Sequence, residues 1–308
     1  MNKGFKIISA LVSAILLTST VFAGGGGSSK KPLEGTYPIA LSHGFLGWGE
    51  DGNTNGLLDP FNYWGGMDGY LRSEGAKVFV ASKNPVDSNE VRAAQFKSKL
   101  LYYMAANGES KVHILGHSQG AVDSRYMISN LGMSNKVATW TSLNGANRGT
   151  VVADIGSALL PDWIVNSLDT ILNFLTGLFY GTEQDLKASM SSLAVGTMNT
   201  FNQYTPDHPG VKYYSYGSKI YPVPTHLFAI MQPIVALGSA TVGQSGSNDG
   251  LISLSSQQWG TWKGGPSLPW YIEGVDHLQA SNTFGYGELL YDVEGYFLKM
   301  AKNMKNNQ

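Results

Sequence analysis

The sequence predicts an α/β fold, with a mostly parallel central sheet and helices on both faces. Three observations carry that expectation. Short apolar runs alternate with helical stretches from residue 37 onward, and such alternation builds parallel sheets. A Gly-His-Ser-Gln-Gly pentapeptide, residues 116–120, stands where one apolar run gives way to a helical one. The chain has 308 residues, 43% hydrophobic and only 14% charged, which suits one large domain and excludes a coiled coil or an acidic disordered chain.

The elements follow in order. Lys3 and Lys6 precede an apolar run, Ile7 to Leu17, and Val21-Phe22-Ala23 is a small-residue cleavage site. Residues 1–23 therefore read as a secretory signal peptide, with an apolar core too short for a membrane span, and the protein is expected outside the cell. Residues 24–36, opening on four glycines, read as a flexible linker before a catalytic domain over 37–308. Tyr37–Leu41 and Lys77–Ala81 are expected strands. Asp87-Ser-Asn-Glu90 is spaced as a capping box. The helix after it should turn Val91, Ala94, Leu100, Leu101 and Met104 inward, and Asn107-Gly108 should stop it. Lys111–Leu115 is a strand, Ala121–Asn130 a helix and Val137–Leu143 a strand. Later strands are expected at Val211–Tyr216 and Tyr271–Val275.

Composition excludes several functions. The formal net charge is −1, so the basic face of a nucleic-acid binder is missing. Cysteine is absent, which excludes disulfides, thiolate metal sites and a Cys nucleophile.

The pentapeptide suggests the chemistry. A G-x-S-x-G turn from strand to helix strains the Ser backbone and exposes its hydroxyl, and the flanking glycines admit the crowded chains. Ser118 is thus the candidate nucleophile. The helix N-terminus behind it favours an oxyanion, and one donor is expected to be the Gln119 amide. The second should come from the loop after the first strand, His43-Gly-Phe-Leu-Gly47, and is assigned to the Phe45 amide. His43 is expected to orient that loop, and His113 to pack. The base of such a site follows the last strand, which selects His277 in Gly274-Val-Asp-His-Leu278. The acid lies between Ser118 and His277. Asp249, in the turn Ser247-Asn-Asp-Gly-Leu251, is preferred, with Asp276 next and Glu273 on the strand behind it.

On these residues the chain resembles the secreted bacterial true lipases of the Pseudomonas–Burkholderia type, which are α/β-hydrolases. Tyr37-Pro-Ile-Ala-Leu-Ser-His-Gly-Phe-Leu-Gly47 is similar to the opening strand and oxyanion loop of that family. Phe61-Asn-Tyr-Trp-Gly-Gly66, Gly75–Val80, Ser88-Asn-Glu-Val-Arg92 and Gly116–Gly120 keep its order and spacing. Asn248–Leu251 resembles its acid loop, and His277-Leu278 its base. The resemblance implies an α/β-hydrolase fold with a helical lid, hydrolysis of long-chain triacylglycerols at an oil–water interface, and a Ser118–Asp249–His277 triad. It also implies a structural calcium and makes a dedicated membrane foldase a candidate partner. Two features depart from the family. Its calcium-binding Asp, two residues after the base, is here Gln279, and no carboxylate lies between residues 217 and 248. Many relatives carry a disulfide, which this chain cannot form.

Two further segments stand out. Ile164, Leu168, Ile171, Leu172, Leu175, Leu178 and Phe179 recur at helical spacing after Leu160-Pro-Asp162. They follow the loop Asn144–Gly149, and a lid is expected around 151–180. Asp51-Gly-Asn-Thr-Asn-Gly-Leu-Leu-Asp59 matches part of a calcium-binding loop, with Asn62 replacing the bidentate Glu. The chemistry itself requires no cofactor. The leading reading is a secreted serine esterase that acts on triacylglycerols. The alternatives are a short-chain carboxylesterase, a polyester depolymerase, or a catalytically dead α/β-hydrolase that only binds.

Overall fold

The computed structural model describes residues 30–50, 62–154, 186–223 and 226–308. Lys31–Gln308 forms one compact unit. The expected signal peptide, the 51–59 loop and nearly all of the expected lid lie outside the described residues.

Among the described residues six strands form one sheet, all neighbours parallel, in the order β2-β1-β3-β4-β5-β6. They are β1 (Ile39–Ser42), β2 (Val78–Ala81), β3 (Val112–His117), β4 (Val137–Leu143), β5 (Lys212–Tyr216) and β6 (Thr261–Trp262). Strands β1, β3 and β4 are buried at every residue, which is why they read as apolar runs. Alternate residues feed opposite faces. Ile39, Leu41 and Leu115 join the core beneath helices α1 (Met67–Ser73) and α7 (Val293–Lys305). Ala40, Ile114 and Trp140 join the opposite core, under α2 (Asn89–Asn107) and α3 (Gln119–Asn130). Fully buried side chains such as Phe96 and Leu100 each contribute about 1.5–3 kcal/mol. Helices α4 (Leu186–Leu193) and α5 (Val195–Tyr204) precede β5, and α6 (Gln232–Thr241) follows it.

Four expectations need correction. The cap of α2 is Ser88, whose hydroxyl accepts from the Val91 amide at 3.3 Å, while the Asp87 carboxylate accepts from the Ser88 amide. The buried face of α2 is Arg92, Ala93, Phe96, Leu100 and Met104, and Val91 is exposed. The face is rotated because Arg92 is buried to reach carbonyls below it. Residues 271–275 form no strand. Only Gly274 bridges, to Ile220, and the sheet ends instead on the two-residue β6. The packed unit also begins inside the stretch expected as linker: Leu33 is fully buried and its amide donates to the Glu74 carbonyl at 2.9 Å.

Candidate active site

The site lies at the carboxyl ends of β1, β3 and β4, where β1 and β3 pair Ser42 with Gly116. Ser118 follows β3 with φ 57° and ψ −129°, a backbone that L residues rarely adopt. The turn is tight enough to require its glycines. A Cβ on Gly116 would sit 2.6 Å from Ala121 Cα, and one on Gly120 would sit 2.2 Å from the Ser42 carbonyl oxygen. The spacing of the pentapeptide is therefore steric.

His277 opens a single-turn helix and is 4% exposed. Its Nδ1 lies 2.8 Å from Asp249 Oδ2, and its amide donates to the Asp249 carbonyl at 3.1 Å. A carboxylate only accepts, so Nδ1 carries the proton and Nε2 is left basic. Asp249 Oδ1 accepts the amides of Leu251 and Ile252 at 3.0 and 2.7 Å. Asn144 Nδ2 donates to Asp249 Oδ2 and to Ser218 Oγ, both at 2.7 Å. Asn144 sits one residue past β4 with φ 47° and holds the acid from the sheet side.

Asp276 has a different environment. Its side chain caps the base helix, accepting the amides of Leu278 and Gln279, and it also accepts the Leu227 amide. Burial pushes it up to about 6, with those backbone bonds pulling it back. The Asp276 oxygens are taken by backbone amides, and it is Asp249 that meets the His277 ring.

The loop over residues 43–47, expected to supply an oxyanion donor, rests on buried charge. Arg92 donates to the carbonyls of His43 and Gly44 at 2.9 and 3.0 Å, to Pro85 at 3.0 Å, and to Asn84. Its Nε reaches Asp123 Oδ2 at 2.9 Å. Lys83 Nζ donates to the same oxygen at 2.8 Å, to Ser42 Oγ at 2.7 Å and to the His43 carbonyl at 3.0 Å. Burial pulls Lys83 down, and Asp123 opposes the shift. His43 Nε2 accepts the Lys83 amide, so its Nδ1–H donates to the Gly44 carbonyl at 2.9 Å. Burial and the two cations keep His43 well below the usual histidine range. It orients the loop, as expected. In this loop the amides of Gly44, Leu46 and Gly47 are occupied by Tyr63 Oη, Pro85 O and Gly44 O. Among the described residues the Phe45 amide has no partner, and the same holds for Gln119 at the start of α3.

Tyr63 and His117 complete the surroundings. Tyr63 Oη is 2.6 Å from His117 Nδ1, and His117 Nε2 is 3.0 Å from the His277 carbonyl. His113 is buried on β3 against Thr139 Oγ1 at 2.8 Å, a packing residue as expected.

The calcium implied by the resemblance does not fit the residues present at the base loop. Position 279 carries a neutral amide, and its Oε1 already accepts the Asp276 amide at 2.8 Å and meets His226 Nδ1 at 3.1 Å. Among the described residues no three His, Cys, Asp or Glu cluster as metal ligands.

No family model matches the chain. A triacylglycerol lipase of Vibrio cholerae is 28% identical over 286 residues, covering 84% of this chain and 86% of that protein. A triacylglycerol lipase of Burkholderia plantarii is 29% identical over 180 residues, 55% of this chain and about half (48%) of its own length. Among solved structures, Staphylococcus hyicus lipase superposes with TM-score 0.63 at 17% identity, covering 92% of this chain and 98% of that one. The mature Bacillus licheniformis lipase BlEst2 gives 0.60 at 20% identity, covering 91% and 97%. With its parallel sheet and strand–turn–helix serine, the chain has the α/β-hydrolase fold. In sequence it is similar to bacterial triacylglycerol lipases.

Proposed function

We propose that the protein is a secreted triacylglycerol lipase that cleaves carboxylic esters through an acyl-enzyme on Ser118. One observation carries the reading. A strained strand-to-helix serine directly follows His117, whose ring centroid lies 4.6 Å from that of His277, and His277 Nδ1 is held 2.8 Å from a buried carboxylate. His277 Nε2 takes the Ser118 proton as Oγ attacks the ester carbonyl. The amides of Phe45 and Gln119 donate to the oxygen that becomes negative. His277 then protonates the leaving alcohol and activates the water that releases the acid, with Asp249 steadying the imidazolium. Side chains and amides of this chain supply every step.

The relatives' triacylglycerol lipase activity supports the substrate class, and the apolar residues that recur every three to four positions in the sequence within 151–180 support an interfacial lid. The test is hydrolysis of a triacylglycerol emulsion beside a soluble short-chain ester. Wild type is expected to favour the emulsion and Ser118→Ala to be inactive on both. Asp249→Asn should lower kcat by about 10³- to 10⁴-fold. Asp276→Asn should lower it by less than about tenfold, because its contacts are caps and not the ring. Activity confined to soluble short-chain esters would make the protein a carboxylesterase. Equal losses in the two Asp variants, at unchanged melting temperature, would overturn the assignment of the acid.

A further inference from the structure

The motif places His117 next to the nucleophile, yet the reaction above does not use it. Tyr63 is likewise 4% exposed and unused. Their hydrogen bonds have only one consistent direction. The His277 carbonyl can only accept, so His117 Nε2 carries a proton toward it. Burial above all holds His117 well below the usual histidine range, so the ring is neutral. Nδ1 is then a bare lone pair, and Tyr63 must donate to it at 2.6 Å. Burial raises the Tyr63 phenol, which keeps its proton, and its oxygen accepts the Gly44 amide at 3.1 Å. The result is one directed chain: Gly44 N–H to Tyr63 Oη, Tyr63 O–H to His117 Nδ1, His117 Nε2–H to the His277 carbonyl.

We propose that Tyr63 and His117 are positioning residues that couple the oxyanion loop to the catalytic base. The proposal rests on the serine-hydrolase reading of the site. At one end the chain fixes Gly44, whose peptide carries the Phe45 amide. At the other it fixes the His277 carbonyl. That residue is then held at its carbonyl by His117, and at its amide and ring by Asp249. The rings add contact: the His117 and His277 centroids are 4.6 Å apart, and those of His117 and Tyr63 are 5.9 Å apart. A base with all three groups fixed cannot drift from Ser118, and an amide on a pinned loop cannot drift from the oxyanion. Two parts of the machinery from distant sequence thus stay in register. Misplacement on the order of 1 Å can cost about 100-fold in rate.

The test is steady-state kinetics on a soluble ester, paired with ¹⁵N NMR of histidine-labelled protein. Tyr63→Phe removes the donor to Nδ1 and leaves the ring volume. It is expected to lower kcat by about 10- to 100-fold with KM within about twofold. His117 should be the Nε2–H tautomer in both proteins, since the His277 carbonyl fixes it, but its bare Nδ1 should lose the hydrogen-bond shift of its ¹⁵N resonance in Tyr63→Phe, a change that loss of packing alone would not produce. His117→Gln places a donor near the position of Nε2 and should retain more kcat than His117→Leu. This pair also carries the test should Tyr63→Phe fold poorly. A kcat within twofold of wild type in folded Tyr63→Phe, or equal losses in Gln and Leu, would overturn the proposal. Covalent labelling of wild type by a fluorophosphonate separates the two readings. Without labelling at Ser118 the serine-hydrolase reading itself fails, whereas labelling with indifferent Tyr63 and His117 variants removes the coupling alone.

Discussion

The two loops that flank Ser118 are built on opposite principles. The oxyanion loop stands on a buried triangle of Arg92, Lys83 and Asp123, all fully buried. Among the described residues the base loop has no cation under it and stands on side-chain caps of backbone amides: Gln279 to His226 and to the Asp276 amide, Asp276 to Leu227, Leu278 and Gln279. Geometry explains the difference. The oxyanion loop must leave the Phe45 amide unoccupied, and at Gly44 a Cβ would sit 2.7 Å from Ser118 Cβ. Little of its own side-chain bulk can hold it. Long cations from α2 and from beyond β2 reach its carbonyls instead, and a carboxylate on α3 compensates them. The base loop carries its own side chains and starts a helix, so it caps itself.

The comparison breaks most visibly at Arg92. Arg92→Ala leaves the carbonyls of His43 and Gly44 short of donors and Asp123 with one cation. Removing one partner of a buried ion pair costs about 3–5 kcal/mol. Urea unfolding should show that loss as a lower midpoint at unchanged slope, with activity reduced beyond what stability explains. A loss under about 1 kcal/mol would mean that the loop holds itself, and the contrast would vanish.

A smaller effect is expected from the base loop. Gln279→Ala removes an acceptor from the Asp276 amide and from His226, both buried. Each orphaned group costs about 1–3 kcal/mol, and some of that is recovered if water enters. The melting temperature should fall less than in Arg92→Ala. If Gln279→Ala proves the more damaging, the base loop is the stiffer of the two and the ranking reverses.

The sequence exposes these two loops unequally. Ser118, His277 and Asp249 were legible because each lies in a short local pattern: a glycine-flanked turn, a post-strand loop, an Asn-Asp-Gly turn. The strands from β1 to β5 were legible because burial on both faces leaves apolar runs. Arg92 was not, since a charged residue on a helix reads as solvent-facing until its partners are known, and they lie 31 and 49 residues away. Asn144 meets Asp249 across 105 residues, and Tyr63 meets His117 across 54, with no local signal for either. Strand β6 is two residues, too short for any periodicity. Residues 271–275 carry a strand-like composition, but one bridge is all the neighbouring backbone offers.

The smallest effect sharpens the comparison furthest, because it separates a loop held by hydrogen bonds from one held by an ion. A hard cation at the base loop would need carboxylate oxygens. Asp276 Oδ1 already accepts two amides, and Oδ2 accepts a third. Gln279 offers one carbonyl oxygen, and that is taken. An ion would have to displace these bonds and gain only one formal charge in return. Chelation is therefore expected to leave the base loop unchanged. The measurement is hydrogen exchange at the amides of Leu278 and Gln279, with EDTA and with added calcium, because whole-protein melting would also report ions held elsewhere. Equal protection in both conditions is the expected result. A clear rise in exchange with EDTA would place an ion at this loop and undo its description as a support held by hydrogen bonds alone.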